Sequence, residues 1–218
     1  MLHTLWSVKG GSGVTLVSAV AAALLARRSG RAVLVDLCGD QPAALGISEP
    51  SSPGVCDWLA SADGSADALD RLLVQVEPGL WLLPRGRAQT WPEERPAELA
   101  QFLQSMGCDV VIDAGVVSEA GVISDLGRNL AAAGRSLLVT RPCYLALRRA
   151  TAAGVKADGV VVVSELGRAL SEADVSAVLG LAVVATVDVD PAIARSVDAG
   201  LLIRRNHRAL ERSLRGVA

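Results

Sequence analysis

The sequence has few of the features that mark several common classes of protein. Only 3% of its 218 residues are aromatic, and no stretch approaches the roughly 20 consecutive apolar residues of a membrane span. The first residues do not follow the basic-then-apolar order of a signal peptide. The formal net charge of −2 gives no overall electrostatic preference for nucleic acid. We therefore expect a cytoplasmic protein.

The cysteines and histidines lack the spacing of a metal site, a disulfide framework or a catalytic constellation. No C-x-x-C pair is present, and each cysteine lies in or beside an apolar run. The two histidines have no ligand partners at metal spacing, and no Ser-His-Asp or Cys-His arrangement can be assembled. These residues are Cys38, Cys56, Cys108, Cys143, His3 and His207.

Lysine is also scarce, since only Lys9 and Lys156 among the 21 basic residues are lysines. Hydrophobic residues make up 51% of the chain and charged residues 20%, which predicts a single compact domain over residues 1–218. A domain of this size buries enough surface to fold without disulfides or a structural metal.

Short apolar runs alternate with helical patterns along the chain. The predicted strands are 2–8, 32–37, 80–83, 110–112, 136–140, 159–163 and 182–187. The predicted helices are 15–28, 92–106, 124–133, 145–153, 171–179 and 191–199. This alternation predicts a three-layer α/β/α fold, in which helices cover both faces of a mainly parallel sheet of about seven strands.

One irregular segment, residues 48–79, contains two short helical patterns at 55–60 and 66–74. It is interpreted either as a lid or partner loop or as a surface excursion. In a parallel sheet, ligands bind beyond the carboxyl ends of the strands, so the turns after the strands are the first places to search for a site.

The first such turn is rich in glycine and is followed by an alanine-rich helical pattern. It reads Lys9-Gly10-Gly11-Ser12-Gly13-Val14-Thr15. Glycines let backbone N–H groups approach an anion, and the start of a helix adds the positive end of a dipole. The context predicts a phosphate-binding loop, with an ordinary tight turn as the alternative.

Residues 8–15 resemble the deviant Walker A loop of the ParA/MinD group of P-loop ATPases, whose pattern is K-G-G-x-G-K-[ST]. Val33-Leu34-Val35-Asp36 is similar to the Walker A′ strand of that group, and Cys108 to Asp113 is similar to its Walker B strand. Further similar segments are 42–47, 79–86, 136–150 and 187–200. Within that group, the sequence most resembles the CpaE/TadZ branch of pilus-assembly and polar-localisation proteins.

This resemblance implies a homodimer that binds ATP and Mg²⁺ between its subunits, and it assigns roles residue by residue. The nucleotide would contact the loop from Lys9 to Thr15 and, at the base, Ser164; Lys9 and Asp36 are weak catalytic candidates. Thr15, Asp36 and Asp113 would hold Mg²⁺, partly through water. The alternatives are a solvated Lys9, a helix-capping Thr15, and carboxylates bonded to loop amides.

Two positions depart from the family pattern. Val14 replaces the lysine that normally contacts the β- and γ-phosphates, and Cys38 replaces the second aspartate of a D-x-D motif that orients the attacking water. Asp40 lies two residues further along as a candidate replacement. We therefore expect weakened nucleotide binding and slow or absent hydrolysis.

Two later segments bear on conformational change and partners. Residues 114–119 stand where relatives carry a switch segment, and Gly115 is its candidate hinge. Residues 203–215 contain five arginines and one glutamate, with Ile203, His207, Leu210 and Leu214 on one helical face. This segment is either a packed or solvated terminal helix, or a contact for nucleic acid or an anionic membrane.

Three hypotheses follow. The chain is a ParA/MinD-like localisation or assembly factor with a degenerate ATP site, serving a pilus or secretion, partition or septum-positioning system through a protein partner. Such a factor is recruited to a pole, membrane or nucleoid. Alternatively, it is an authentic ATPase that uses Lys9, or a scaffold that has lost nucleotide altogether.

Overall fold

The computed structural model describes residues 1–50, 53–62, 64–117, 121–205 and 208–217. Within these residues the strands are β1 (Leu2–Ser7), β2 (Ala32–Asp36), β3 (Val74–Glu77), β4 (Leu80–Leu83), β5 (Asp109–Val116), β6 (Arg135–Thr140), β7 (Gly159–Ser164) and β8 (Val183–Asp188). The helices are α1 (Val14–Ser29), α2 (Gln41–Leu45), α3 (Val55–Ala60), α4 (Ala66–Asp70), α5 (Arg95–Ser105), α6 (Val122–Ala133), α7 (Tyr144–Ala152), α8 (Glu172–Leu179), α9 (Pro191–Asp198) and α10 (Arg208–Ser213), followed by a 3₁₀ turn at Leu214–Gly216.

The strands form one sheet in the order β3-β4-β2-β5-β1-β6-β7-β8. Neighbouring strands are parallel except for the β3–β4 pair at one edge, which is antiparallel. Side chains alternate between two hydrophobic clusters, so that Val33 and Val35 join one cluster while Ala32 and Leu34 join the other. The predicted three-layer α/β/α fold is confirmed.

Helices cover the two faces of the sheet separately. Buried residues of α5, α6, α7 and α8 belong to the first cluster, and those of α1, α9 and α10 belong to the second. Strands buried on both faces explain why the sequence runs are almost continuously apolar instead of alternating. Among the described residues, no helix is both long enough and apolar enough to cross a lipid bilayer.

All seven predicted strands are present, but the sheet has an eighth, β3, that the sequence reading missed. The helix predicted over 66–74 stops at Asp70, and Val74–Glu77 pairs with β4 across a turn at Pro78 and Gly79. Gly79 has a φ of 84°, a left-handed conformation that glycine adopts without strain. The Pro-Gly pair between two apolar runs was the available signal. The short helix α2 was also missed.

The described part of segment 48–79 packs against the sheet. Val55, Cys56, Leu59 and Leu69 are fully buried in the first cluster. The Arg95 guanidinium stacks on the Trp58 ring at 4.1 Å from its centroid, which ties α3 to α5. The described part of this segment is thus anchored to the domain, and the alternatives of a lid or partner loop and of a surface excursion stay predictions.

Candidate functional site

The glycine loop joins β1 to α1 at the carboxyl edge of the sheet. Gly11 and Gly13 have φ values of 72° and 94°, which a residue with a side chain adopts only with strain. The hydroxyls of Ser7 and Ser12 both donate to the Lys9 carbonyl oxygen, at 2.9 Å each. No side chain caps the first turn of α1, so its amide groups are available to an anion. The loop therefore has the shape of a phosphate cradle.

A cleft of about 490 Å³ opens beside this loop. The start of α1 and the loop form one side, and residues from the β2–α2 turn, from β5 and from α9 form the others. Among the described residues that line it, the charged ones are Asp40 and Asp198, both carboxylates. Val14 lines the cleft but is only 6% exposed and packs in the second cluster. Cations beside the cleft include Lys9, in the same loop, and Arg141, which lines an adjoining cavity that shares Gly13 with it.

Lys9 and Arg85, two cations of this region, bond to backbone carbonyls. The Lys9 ammonium donates to the Gly10 carbonyl oxygen at 3.3 Å, and the Arg85 guanidinium donates to the Cys38 carbonyl oxygen at 3.2 Å. Lys9 itself is half-buried at the carboxyl edge of the sheet. Its predicted role toward a second subunit stays a prediction.

Asp36 and Asp113 lie side by side beneath the loop, because β2 and β5 pair in register at these two residues. Both are fully buried. Asp36 Oδ1 accepts from the amides of Cys38 and Gly39 at 2.9 and 2.7 Å, and Oδ2 accepts from the amide of Gln41 at 3.0 Å. The Asp36 carboxylate thus holds the turn that follows β2. This bonding to loop amides is the alternative that the sequence analysis set beside Mg²⁺ binding.

Asp113 accepts two hydrogen bonds from the described residues. Its Oδ1 accepts from the Gly115 amide at 3.2 Å, and its Oδ2 accepts from the Gln41 side-chain amide at 2.8 Å. The Thr15 side chain acts on the same carboxyl by lowering its pKa. The three residues that the resemblance assigns to Mg²⁺ are therefore gathered in one place, and the chain's own donors already occupy both carboxylates. Among the described residues, no group of three His, Cys, Asp or Glu side chains forms a ready metal site.

Gln41 is the residue of this cluster that the sequence reading missed. It is fully buried at the first position of α2, and its Nε2 donates both to Asp113 Oδ2 and to the Thr15 carbonyl oxygen, the latter at 3.1 Å. Its Oε1 has no hydrogen-bond partner among the described residues. The available signal was a glutamine in an otherwise apolar short helix, directly after the turn that follows β2.

Burial dominates the ionisation of this cluster. It raises the pKa of Asp113 to about 6, with a further increase from the neighbouring Asp36 charge, while the bonds from Gln41, Thr15 and Gly115 act in the opposite direction. Burial also raises the pKa of Asp36, against the effect of its amide donors. The pKa of the Cys38 thiol is raised by burial and then by Asp113 and Asp36. Cys38 is therefore a neutral thiol, not a nucleophilic thiolate.

The titration of Asp113 predicts a pH dependence of stability. A raised folded-state pKa means that the folded protein retains its proton where the unfolded chain has lost it, so the stabilisation is complete below pH 3.8 and is lost as pH rises through about 6. The loss for this group alone is about 3 kcal/mol. We expect Asp113→Asn, which cannot ionise, to remove this part of the slope in urea unfolding measured from pH 4 to pH 7. Superimposable slopes for the native and variant proteins would contradict the assignment.

Of the remaining predicted residues, Asp40 and Gly115 line the cleft, whereas Ser164 does not. Asp40 lines it, so this alternative to the missing aspartate remains a prediction. Gly115 has a φ of 59°, and a methyl group there would come within 2.1 Å of the Cys38 sulfur, so glycine makes room for that thiol. Ser164 ends β7, where its carbonyl oxygen accepts from the Val189 amide at 2.8 Å. A smaller cavity of about 170 Å³ is lined by its neighbour Val163 and by Asp188.

The C-terminal segment is packed on α1 and β8 through its apolar side chains. Ile203, Leu210 and Leu214 are buried in the second cluster, and Arg27 of α1 donates to Glu211 at 2.7 Å. The five arginines of 203–215 are exposed. The interpretation of a packed helix therefore accounts for the apolar face, while the basic face remains free for a partner. The predictions for Ser118, Glu119 and His207 lie outside the described residues.

Comparison with known proteins gives a family and a fold. A sequence model of the family described as cellulose biosynthesis protein BcsQ matches residues 1–112, just over half of the 218 residues. That match includes the glycine loop, Asp36, Cys38 and Gln41 and ends one residue before Asp113. No curated protein sequence matches the chain significantly.

Three solved proteins resemble the chain over almost its whole length. The MinD cell division protein of Aquifex aeolicus has a TM-score of 0.78 at 16% identity and covers 100% of this chain and 95% of that one. Its complex with MinC gives a TM-score of 0.79. The septum site-determining protein MinD of Pyrococcus horikoshii, complexed with Mg-ADP, has a TM-score of 0.71 at 18% identity and covers 99% and 92%. A ParA family ATPase of Chlorobium tepidum has a TM-score of 0.72 at 18% identity and covers 97% and 96%.

Proposed function

The chain belongs to the cellulose biosynthesis protein BcsQ family, and from this we propose that it is a ParA/MinD-like localisation or assembly factor that binds ATP weakly and hydrolyses it slowly or not at all. Its P-loop would be of the deviant Walker A type, and bound ATP would supply the phosphates that this loop holds. The observation that carries the proposal is the cleft, which is lined by the glycine loop but whose described charged lining residues are two carboxylates, Asp40 and Asp198.

Weak binding follows from that charge balance. Backbone N–H groups and the dipole of α1 attract phosphate, but Asp40 and Asp198 repel it, and Val14 offers no charge where a lysine would stand. Mg²⁺ would offset part of this repulsion at Thr15, Asp36 and Asp113. The residues therefore fit the nucleotide in shape, and they fit the metal only if the donors on the two carboxylates give way.

Slow hydrolysis follows from Cys38. The attacking water in phosphoryl transfer needs a positioned acceptor, and the neutral, half-buried thiol of Cys38 is a weak one. Loss of both the phosphate-contacting charge and the water acceptor removes positioning and electrostatic stabilisation together, which are the main sources of rate in this reaction.

A second copy of this chain is the proposed first partner. Four large apolar side chains are exposed after the ends of β6, β7 and β8, on the same sheet edge as the cleft and Lys9; they are Tyr144, Leu145, Leu166 and Val189. An exposed apolar group next to a ligand cleft is typical of an interaction surface. We propose that this edge forms a homodimer, with Lys9 facing the partner subunit.

A further partner would be the machine that the dimer positions. The family name refers to cellulose biosynthesis, and the sequence resembles the CpaE/TadZ branch, so a secretion or pilus machine at the cell envelope is the first candidate. Partition and septum-positioning systems are the alternatives. The exposed arginines of residues 203–215 support contact with an anionic membrane or with nucleic acid, which would bring the protein to a pole, a membrane or the nucleoid.

The test is calorimetry with ATP and ADP together with a phosphate-release assay on the native protein. We expect dissociation constants of about 10 µM or weaker and turnover close to the buffer background. Light scattering with and without nucleotide gives the subunit number in the same samples. Brisk Mg²⁺-dependent turnover that Lys9→Ala abolishes would instead favour the authentic ATPase. Complete absence of nucleotide binding would favour the scaffold.

A further inference from the structure

We propose that Gln41 keeps the Asp36–Asp113 pair closed to Mg²⁺, so that nucleotide binds to this protein with little dependence on a divalent cation. This inference rests on the proposed function, since it concerns the cofactor requirement of the same site. It makes Gln41 a positioning residue, because it acts through the two carboxylates.

The first observation is that Gln41 binds both carboxylates at once. Its backbone amide donates to Asp36 Oδ2 at 3.0 Å, and its side-chain Nε2 donates to Asp113 Oδ2 at 2.8 Å. The same Nε2 donates to the carbonyl oxygen of Thr15, at the start of α1. Both donor hydrogens of the amide are thus used, and the two acceptors fix its orientation. One residue links the glycine-loop helix, β2 and β5.

The second observation is that few acceptor positions remain on the carboxylates. A carboxylate has about four acceptor positions on its two oxygens. Asp36 accepts three backbone amides, and Asp113 accepts the Gln41 side-chain amide and the Gly115 backbone amide. Mg²⁺ requires near-octahedral oxygen coordination and keeps several waters, which must in turn reach these oxygens. Asp36 and Asp113 are both 0% exposed. The waters of a hydrated Mg²⁺ can therefore reach their oxygens only when one of the amide donors moves away.

The third observation is that Gln41 has an unfavourable contact of its own. Its Oε1 is buried without a hydrogen-bond partner among the described residues, which costs free energy. A glutamine is tolerated there because its side-chain amide stabilises the buried Asp113 carboxylate by a hydrogen bond, beside the equally buried Asp36. This is the contribution that a divalent cation would otherwise make, so the amide and the metal compete for the same oxygens.

The experiment measures ADP affinity by calorimetry in excess Mg²⁺ and in excess EDTA, for the native protein, Gln41→Ala and Gln41→Leu. Alanine removes the amide and opens space, and leucine keeps the volume without the donors. Gln75→Ala is the matched control, since Gln75 is an exposed glutamine on β3. For the native and control proteins, we expect the dissociation constants of ADP in Mg²⁺ and in EDTA to differ by less than about threefold. For both Gln41 variants, we expect ADP to bind at least about tenfold more tightly in Mg²⁺ than in EDTA.

A native protein whose ADP affinity falls about tenfold in EDTA would overturn the inference, as would folded Gln41 variants with the native ratio. Binding of Mn²⁺ alone, followed by electron paramagnetic resonance of the free ion, provides a second readout that needs no nucleotide. There we expect tighter Mn²⁺ binding by the Gln41 variants than by the native protein, and equal binding would overturn the inference. Rapid ATP turnover, or no ADP binding under either condition, would instead count against the proposed function.

Discussion

The Val14→Lys, Cys38→Asp double variant is expected to hydrolyse ATP at least about 100-fold faster than the native protein. Val14 lines the cleft at the start of α1, so a lysine there places an ammonium beside the phosphate cradle. Cys38 also lines the cleft, and an aspartate there adds an acceptor for the attacking water. The two substitutions restore one contact to phosphate and one contact to water.

The two substitutions should also depend on each other. Asp36 and Asp113 already raise the pKa of the Cys38 thiol, so a third carboxylate at that position would be repelled by both. The new ammonium at position 14 offsets this repulsion. We therefore expect Cys38→Asp alone to melt at a lower temperature than the double variant.

The measurement is steady-state phosphate release at saturating ATP. A Val14→Met, Cys38→Asn variant serves as the matched control, because it adds comparable bulk without charge. If the double variant is folded, binds ATP and still releases phosphate at the native rate, Val14 and Cys38 are not what limits turnover in this protein. The same conclusion would follow if the native protein released phosphate as fast as the double variant does.

Gly46→Ala is expected to lower the free energy of unfolding by more than about 3 kcal/mol. Gly46 ends α2 with a φ of 67°, and a methyl group there would lie 1.9 Å from the carbonyl oxygen of Gly200. Gly200 lies two residues beyond the last residue of α9 and itself has a φ of 64°. Since that neighbour is backbone, the clash can be relieved only by moving α2 away from α9.

Gly30→Ala separates the clash from the backbone strain. Gly30 ends α1 with a φ of 82°, but a methyl group there would meet no atom within 4 Å. Its expected cost is about 1 kcal/mol, from the left-handed conformation alone. Chemical denaturation of the two variants beside the native protein gives the comparison. If both variants lose the same free energy of unfolding, α2 can move away from α9 at little energetic cost.

Much of the fold follows from the sequence because the central strands are buried on both faces. Runs such as 32–35 and 160–163 are apolar at every position, and this separates them clearly from the longer helical patterns. The edge is different: β3 is a four-residue strand with one exposed and three half-buried positions, so its composition resembles a loop. Its turn residues, Pro78 and Gly79, were more informative than its hydrophobicity.

The residues of the candidate site also differ in how well the sequence predicts them. The glycine loop, Asp36 and Asp113 follow from a motif, because each has a fixed position relative to a strand end. Gln41 does not, because its role depends on where its side chain lies between two neighbouring strands and a helix. Its contacts with Thr15 and Asp113 span 26 and 72 residues of sequence. Local patterns carry no information about such contacts.

The two borders of the sheet limit the ways in which copies of this protein can associate. At one border the short strand β3 carries Glu77, whose carboxylate lies 3.7 Å from the Arg27 guanidinium. At the other border the 3₁₀ turn packs on β8 so closely that a methyl group on Gly216 would lie 2.2 Å from the Val184 carbonyl oxygen. In the described parts of the chain, β3 offers only four residues for intermolecular β-pairing, and the 3₁₀ turn covers β8 at Val184. Both features act against extension of the sheet by a second copy of the chain.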